Sequence, residues 1–189
     1  MKPFTLQAHR TAVVLIDFQI RLFQAMDETI SFRHAKNAEH MVFAAGAFEM
    51  PLIVTEQLKM GRTLPSLEVP EGTTTFAEKT HFSCFGHAGF EDALRETGVD
   101  TLVISGIETH VCVAQTVRDA LGKGFHVVVV ADACLSRRRM DYRLGLRRMQ
   151  NAGAHIWTAE AVLFELQGCL LYTSPSPRDA TLSRMPSSA

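Results

Sequence analysis

No stretch of the 189-residue chain is apolar for long enough to span a bilayer, and its opening residues, Met1-Lys2-Pro3-Phe4-Thr5-Leu6, lack the apolar core of a secretory signal. Neither a membrane partner nor export is expected, so the cytosol is the default compartment. A formal net charge of −1 leaves no basic excess of the kind that holds nucleic acid. The four cysteines, Cys84, Cys112, Cys134 and Cys169, have neither the short paired spacings of a zinc site nor the density of a disulfide framework, and each is read as a free thiol. Among the eight histidines there is no helical pair at metal-ligand spacing, and neither Gly-rich phosphate loop occurs. No metal and no cofactor is expected. What remains is a small-molecule substrate.

What is present is an ordinary globular composition, 47% hydrophobic and 21% charged, in a length suited to one domain. Thr11-Ala12-Val13-Val14-Leu15-Ile16 is a continuous apolar run ending at Asp17, which reads as a strand buried on both faces and so implies a parallel sheet. Helical periodicity from Phe32 to Glu49 stops at Pro51, and Leu52-Ile53-Val54-Thr55 follows as a second strand. Residues 56–70, with Gly61, Pro65 and Pro70, read as a long loop; Thr74-Thr75-Phe76-Ala77 reads as a third strand. Thereafter helix and strand alternate: helix Phe90–Thr97, strand Thr101–Ile104, helix Thr109–Lys123, strand Phe125–Val130, helix Met140–Asn151, strand Ala154–Trp157 and helix Thr158–Leu166, with Thr158 as N-cap. That rhythm predicts an α/β fold, a three-layer, doubly wound, mostly parallel sheet with helices on both faces. Residues 1–168 are assigned to this domain. The remainder, 169–189, closing in Ser-Arg-Met-Pro-Ser-Ser-Ala, is similar to a translated sequencing adapter and is read as a non-native tail, with the natural chain cut near Gln167 and Cys169 outside the chemistry.

Three side chains could carry chemistry. Cys112 lies in the first turn after a buried strand, where unpaired amides and the helix dipole favour a thiolate and could also bind an oxyanion; plain packing of a buried thiol is the bland alternative. Asp17 ends a buried strand at the edge where open α/β sheets bind ligands, although turn aspartates are common. Lys79 is followed by the apolar run Phe82-Ser83-Cys84-Phe85, so its ammonium could approach a partly buried site, where it would need a carboxylate. Phe18, Gln19, Phe82, Phe85 and His110 are candidate pocket residues, and Arg137-Arg138-Arg139 reads as a solvated turn.

Val14-Leu15-Ile16-Asp17-Phe18-Gln19, Glu78-Lys79-Thr80-His81-Phe82-Ser83-Cys84-Phe85 and Gly106-Ile107-Glu108-Thr109-His110-Val111-Cys112-Val113 together resemble, in order and spacing, the three signature segments of the isochorismatase-like cysteine hydrolases. The likeness extends over about residues 10–167. It implies a six-stranded sheet of order 3-2-1-4-5-6, with Asp17 and Cys112 ending adjacent strands at the topological switch point. It further implies Cys112 as nucleophile, Asp17 as base, and Lys79 holding the aspartate and lowering the thiol's pKa. The Ile107–Glu108 peptide is implied to be cis, turning the Glu108 and Cys112 amides into an oxyanion hole. Hydrolysis of a small amide or ureido compound through a thioester is the implied reaction. A vinyl-ether hydrolase, a non-catalytic oligomeric scaffold of the same fold and a redox role for Cys112 or Cys84 stand as alternatives, and self-association is expected. Thr55-Glu56-Gln57 stands where the related nicotinamidases carry metal ligands, which again argues against bound zinc.

Overall fold

The computed structural model describes residues 4–171, with side chains described through Gly168. Six strands form one sheet: β1 (Thr11–Ile16), β2 (Leu52–Gln57), β3 (Thr74–Lys79), β4 (Thr101–Ile107), β5 (His126–Leu135) and β6 (His155–Trp157). Their order is β3-β2-β1-β4-β5-β6, and every pairing is parallel. The expected class and strand order are therefore observed. The helices are α1 (Ile20–Gln24), α2 (Glu28–Ala47), α3 (Phe90–Glu96), α4 (Ala114–Gly122), α5 (Arg139–Asn151) and α6 (Ala159–Leu171).

The unbroken apolar strands follow from burial on both faces. In β1, Val13 and Leu15 pack into a core with Ala38 and Met41 of α2 and Val162 and Leu166 of α6. Their neighbours Ala12, Val14 and Ile16 point the other way, to Phe90 and Leu94 of α3, Val117 of α4 and Met149 of α5. Thr158 caps α6 as expected, accepting from the Ala161 amide at 3.2 Å. α6 runs to Leu171, past the expected boundary at 168; the tail beyond it lies outside the described residues, as does the Cys169 side chain.

Several boundaries differ from expectation for local reasons. α2 begins at Glu28 rather than Phe32 because the Asp27 carboxylate caps it, accepting from the amides of Thr29 and Ile30. The segment from Thr109 is not a plain helix: Thr109–Val113 forms a wide π-helical turn in which the amides of Val111 and Val113 both donate to the Glu108 carbonyl, before α4 begins at Ala114. β3 extends to Lys79, two residues further than predicted, with a bulge in its pairing: Thr55 lies opposite Phe76, whereas Gln57 lies opposite Lys79.

At the centre, β1 and β4 approach closely at their carboxyl ends, where Ile16 pairs with Gly106. A Cβ on Gly106 would lie 2.5 Å from the Ile16 carbonyl oxygen and 2.6 Å from its Cβ. Gly106→Ala should therefore force backbone apart at the point from which Asp17 and Cys112 depart. The expected loss is about 1–3 kcal/mol, read as a lower urea midpoint with unchanged slope.

Candidate active site

Asp17 follows the last residue of β1 with φ at 53°, a left-handed conformation that aspartate tolerates better than most residues. The backbone breaks from the strand there, and the carboxyl group is fully buried. Thr55, on the adjacent strand β2, donates its hydroxyl proton to Asp17 Oδ1 at 2.7 Å. On the far side of β2, Glu78 also adopts a positive φ, 57°, within the β3 bulge. By simple alternation Glu78 would share the inward face with Phe76; the extra residue leaves Glu78 exposed and turns Lys79 inward instead. Lys79 is thereby completely buried on an edge strand whose other residues are largely exposed.

The ammonium of Lys79 has three protons and three neutral acceptors: Gln57 Oε1, the His81 carbonyl at 2.8 Å and the Phe82 carbonyl at 3.1 Å. It also stands 3.0 Å from Asp17 Oδ2 as an ion pair. Apart from this ion-pair contact, Oδ2 has no hydrogen-bond donor of good geometry among the described residues. Lys79 therefore acts on Asp17 as a charge, and leaves an oxygen with free lone pairs in the buried site.

Cys112 emerges from the π-helical turn beside this pair and is 6% exposed. Burial first, and then the negative charge of Asp17, push its thiol well above the usual cysteine range; Lys79 pulls it down, with lesser effect. The helix start was expected to favour a thiolate; desolvation and the neighbouring carboxylate work the other way and raise the thiol's pKa, which fits a thiol that needs Asp17 as its base. The Lys79 effect has the expected sign.

The Ile107–Glu108 peptide is cis. The Glu108 carboxylate is gripped by Arg137, whose amide donates to Oε2 at 3.1 Å while its guanidinium lies 3.1–3.2 Å from both oxygens. Glu108 in turn raises the guanidinium's affinity for its proton. Arg137 is solvent-exposed in the bend before α5, as its sequence context suggested, and from there it also clamps Glu108 at the end of β4. A run of three arginines before a helix gave no sign of which one folds back.

Of the candidate pocket residues, Phe18 and Gln19 are fully buried framework. Phe18 belongs to the core beside α2, and the Gln19 amide accepts from the Gln57 amide and donates to the carbonyls of Gln57 and Gly61, pinning the loop after β2. Their side chains are spent on structure and not free to meet a ligand. Phe85 packs edge-on against Phe90 at 5.1 Å in the core beside α3. Phe82 is half-exposed, and Phe82 and Phe85 line a surface cavity of about 530 Å³ with Ser83 and Gln115. His110 is half-buried, its Nδ1 3.0 Å from the Ser136 hydroxyl. Thr55 and Gln57 are the site residues that the sequence did not single out.

Among the described residues no cluster of three or more His, Cys, Asp or Glu could hold a metal ion, and no helix is long and apolar enough to cross a membrane. Cys84, Cys112 and Cys134 are all free thiols, as read from their spacing.

An open parallel sheet with a thiol, a carboxylate and an ammonium buried together at its switch point defines the class: a doubly wound α/β protein with a polar cluster inside its central strands' carboxyl edge. Residues 11–161 match the isochorismatase domain, and the chain belongs to the isochorismatase family. It is 39% identical over 133 residues to isochorismatase domain-containing protein 2 of Xenopus laevis, covering 69% of this chain and 64% of that protein. With isochorismatase domain-containing protein 1 of Danio rerio it shares 37% over 131 residues, covering 68% of this chain and 46% of that protein. The chain thus spans less than two thirds of these curated relatives. Among solved structures, the MAR1 ribonuclease of Caenorhabditis elegans superposes with a TM-score of 0.80 at 32% identity, over 87% of this chain and 85% of that one. The YcaC gene product of Escherichia coli, an octameric hydrolase of unknown specificity, superposes at 0.82 with 27% identity, over 88% and 84%. YcaC of Pseudomonas aeruginosa, solved with covalent acrylamide, superposes at 0.81 with 26% identity, over 88% and 85%.

The ion pair makes a stability prediction. Lys79→Met leaves the Asp17 charge buried without a counter-charge and should cost about 3–5 kcal/mol. Asp17→Asn, which keeps a residue tolerant of positive φ, should cost less, and the double variant should recover most of the Lys79→Met loss. Urea denaturation of the four proteins reads this coupling.

Proposed function

We propose that the protein is a hydrolase in which Cys112 is the nucleophile, Asp17 the proton acceptor and donor, and Lys79 the charge that holds Asp17 ionised. The observation that carries this reading is the Asp17 carboxylate beside the Cys112 thiol, its Oδ2 buried 3.0 Å from the Lys79 ammonium and without a hydrogen-bond donor among the described residues. A buried carboxylate oxygen without a donor is costly; a proton arriving from sulfur satisfies it. The covalent acrylamide on the P. aeruginosa relative supports the reading, since acrylamide is an electrophile that captures nucleophilic side chains.

In the proposed cycle the thiol proton passes to Asp17 Oδ2 as sulfur attacks the carbonyl carbon of a small amide or ureido compound. The amides of Glu108, just before the π-helical turn, and of Cys112, within it, take the oxyanion. Asp17 then protonates the departing nitrogen, and water, deprotonated by the same carboxylate, cleaves the thioester. A neutral thiol activated only in the presence of substrate suits this scheme and protects the cysteine meanwhile. Self-association is part of the proposal, following the octameric E. coli relative.

The test is a panel of small amides and ureido compounds assayed for released ammonia or amine, with acid-quenched samples examined by peptide mass spectrometry. A substrate should leave its acyl group on the Cys112 peptide, and Cys112→Ser should lower turnover on the order of a thousandfold or more. Turnover of a vinyl ether with no adduct on Cys112 would transfer the protein to the acid-base reading. No turnover with any compound, and no reactivity at Cys112, would favour the scaffold.

A further inference from the structure

Close to both Asp17 and Cys112 stands a second buried thiol joined to the site by hydrogen bonds. Cys84 Sγ lies 3.8 Å from Thr55 Oγ1, and Thr55 Oγ1 lies 2.7 Å from Asp17 Oδ1. The Thr116 hydroxyl, one turn along from Cys112, accepts from the Cys84 amide at 3.0 Å. It is 2.8 Å from the Cys112 carbonyl and 3.3 Å from Cys84 Sγ. Counting protons fixes the direction of this chain. Thr116 has one hydroxyl proton, and the nearer acceptor is the Cys112 carbonyl. Asp17, as a carboxylate, can only accept, so the Thr55 proton points at Oδ1. With its own proton committed to Asp17, the Thr55 oxygen is an acceptor for the Cys84 thiol at 3.8 Å. Burial, with Asp17 behind it, pushes the Cys84 thiol up to about 11, which keeps that proton in place at neutral pH.

We propose that Thr55 is a positioning residue for the base: by holding Oδ1, with Cys84 as its own donor, it presents Oδ2 alone to the Cys112 proton and stabilises the ionised carboxylate. The proposal rests on the reading of Cys112 as nucleophile and assigns a task to two residues that reading leaves idle. Other ionisable groups facing Asp17 are Lys79 from the end of β3, Cys112 from the π-helical turn and Cys84 from the loop after β3. None of them occupies Oδ1; that contact belongs to Thr55. Losing a donor to the charged form favours protonation, so removing the Thr55 hydroxyl should raise the pH at which Asp17 becomes a carboxylate.

Acrylamide is a probe that needs no knowledge of the substrate. In its addition the Cys112 S–H bond breaks, the sulfur electron pair bonds the terminal alkene carbon, and the proton moves to Oδ2 and then to the carbon next to the amide carbonyl. The rate therefore requires ionised Asp17 and falls away below its titration. Labelling of each cysteine against pH, read by peptide mass spectrometry, should show an acid limb for Cys112 in the parent. In Thr55→Val, near-isosteric, that limb should move up by about one pH unit, the scale of a lost hydrogen bond to a charged group. Thr55→Ser should return it to the parent position, and Cys84→Ser, which keeps a donor, should leave it near there. An unmoved limb in Thr55→Val, or a serine variant that behaves like valine, overturns the proposal. A parent in which Cys112 labels no faster than Cys134 overturns the nucleophile reading instead, so the two failures are distinguishable. Circular dichroism of the valine variant separates misfolding from the effect sought, since a folded protein with a lowered plateau but an unmoved limb indicates packing alone.

Discussion

The buried ion pair between Asp17 and Lys79 is the constraint around which the site is organised. Removing both charges from water is expensive, and their mutual attraction offsets the cost only if the remaining hydrogen-bonding capacity is satisfied. The chain meets that condition almost completely. Three neutral oxygens take the ammonium protons and one hydroxyl takes Oδ1, so one carboxylate oxygen, Oδ2, is left without a donor among the described residues. The Cys112 thiol lies beside the same carboxylate. An arrangement meant only for stability would have no reason to leave that oxygen without a donor, and an apolar trio in its place would cost nothing in desolvation.

The sheet order makes the pair possible. β1 lies between β2 and β4, so the carboxylate that ends β1 can meet a hydroxyl from β2 on one side and a thiol following β4 on the other. Crossovers to opposite faces diverge at this point and open the crevice in which the side chains gather. Gly106 lets the two central strands stay close at their carboxyl ends, and Arg137 fixes Glu108 at the start of the turn that carries Cys112. The lysine arrives from two strands away by a bulge, without which Glu78 would bring a second negative charge to the same place.

Much of this was legible in the chain. Doubly buried strands announce themselves by unbroken β-branched runs, so β1 and β4, and with them Asp17 and Cys112, could be placed at the carboxyl edge from sequence alone. Lys79 could not: it ends an edge strand that is exposed for most of its length, and a bulge is set by one residue at positive φ that leaves no compositional trace. Thr55 read as an ordinary strand residue and Gln57 as part of the loop after it, because their partners come from other segments. Phe18 and Gln19 were placed in the pocket by proximity to Asp17, yet the break in backbone direction at Asp17 sends both into the framework. The upward push on the Cys112 thiol was not legible because the helix terminus is visible in sequence whereas desolvation is not.

The central claim is that Cys112 rests as a protonated thiol held so by burial and by Asp17, and is activated by proton transfer to that carboxylate. Its most direct test is an ultraviolet titration of the thiolate, taken as the difference between the parent and Cys112→Ser, repeated in Asp17→Asn. The account predicts no thiolate at neutral pH in the parent, ionisation only above the usual cysteine range, and a downward shift in Asp17→Asn, where the raising charge is gone and Lys79 remains. A thiolate already present at neutral pH in the parent, or an upward shift on removing Asp17, would contradict it.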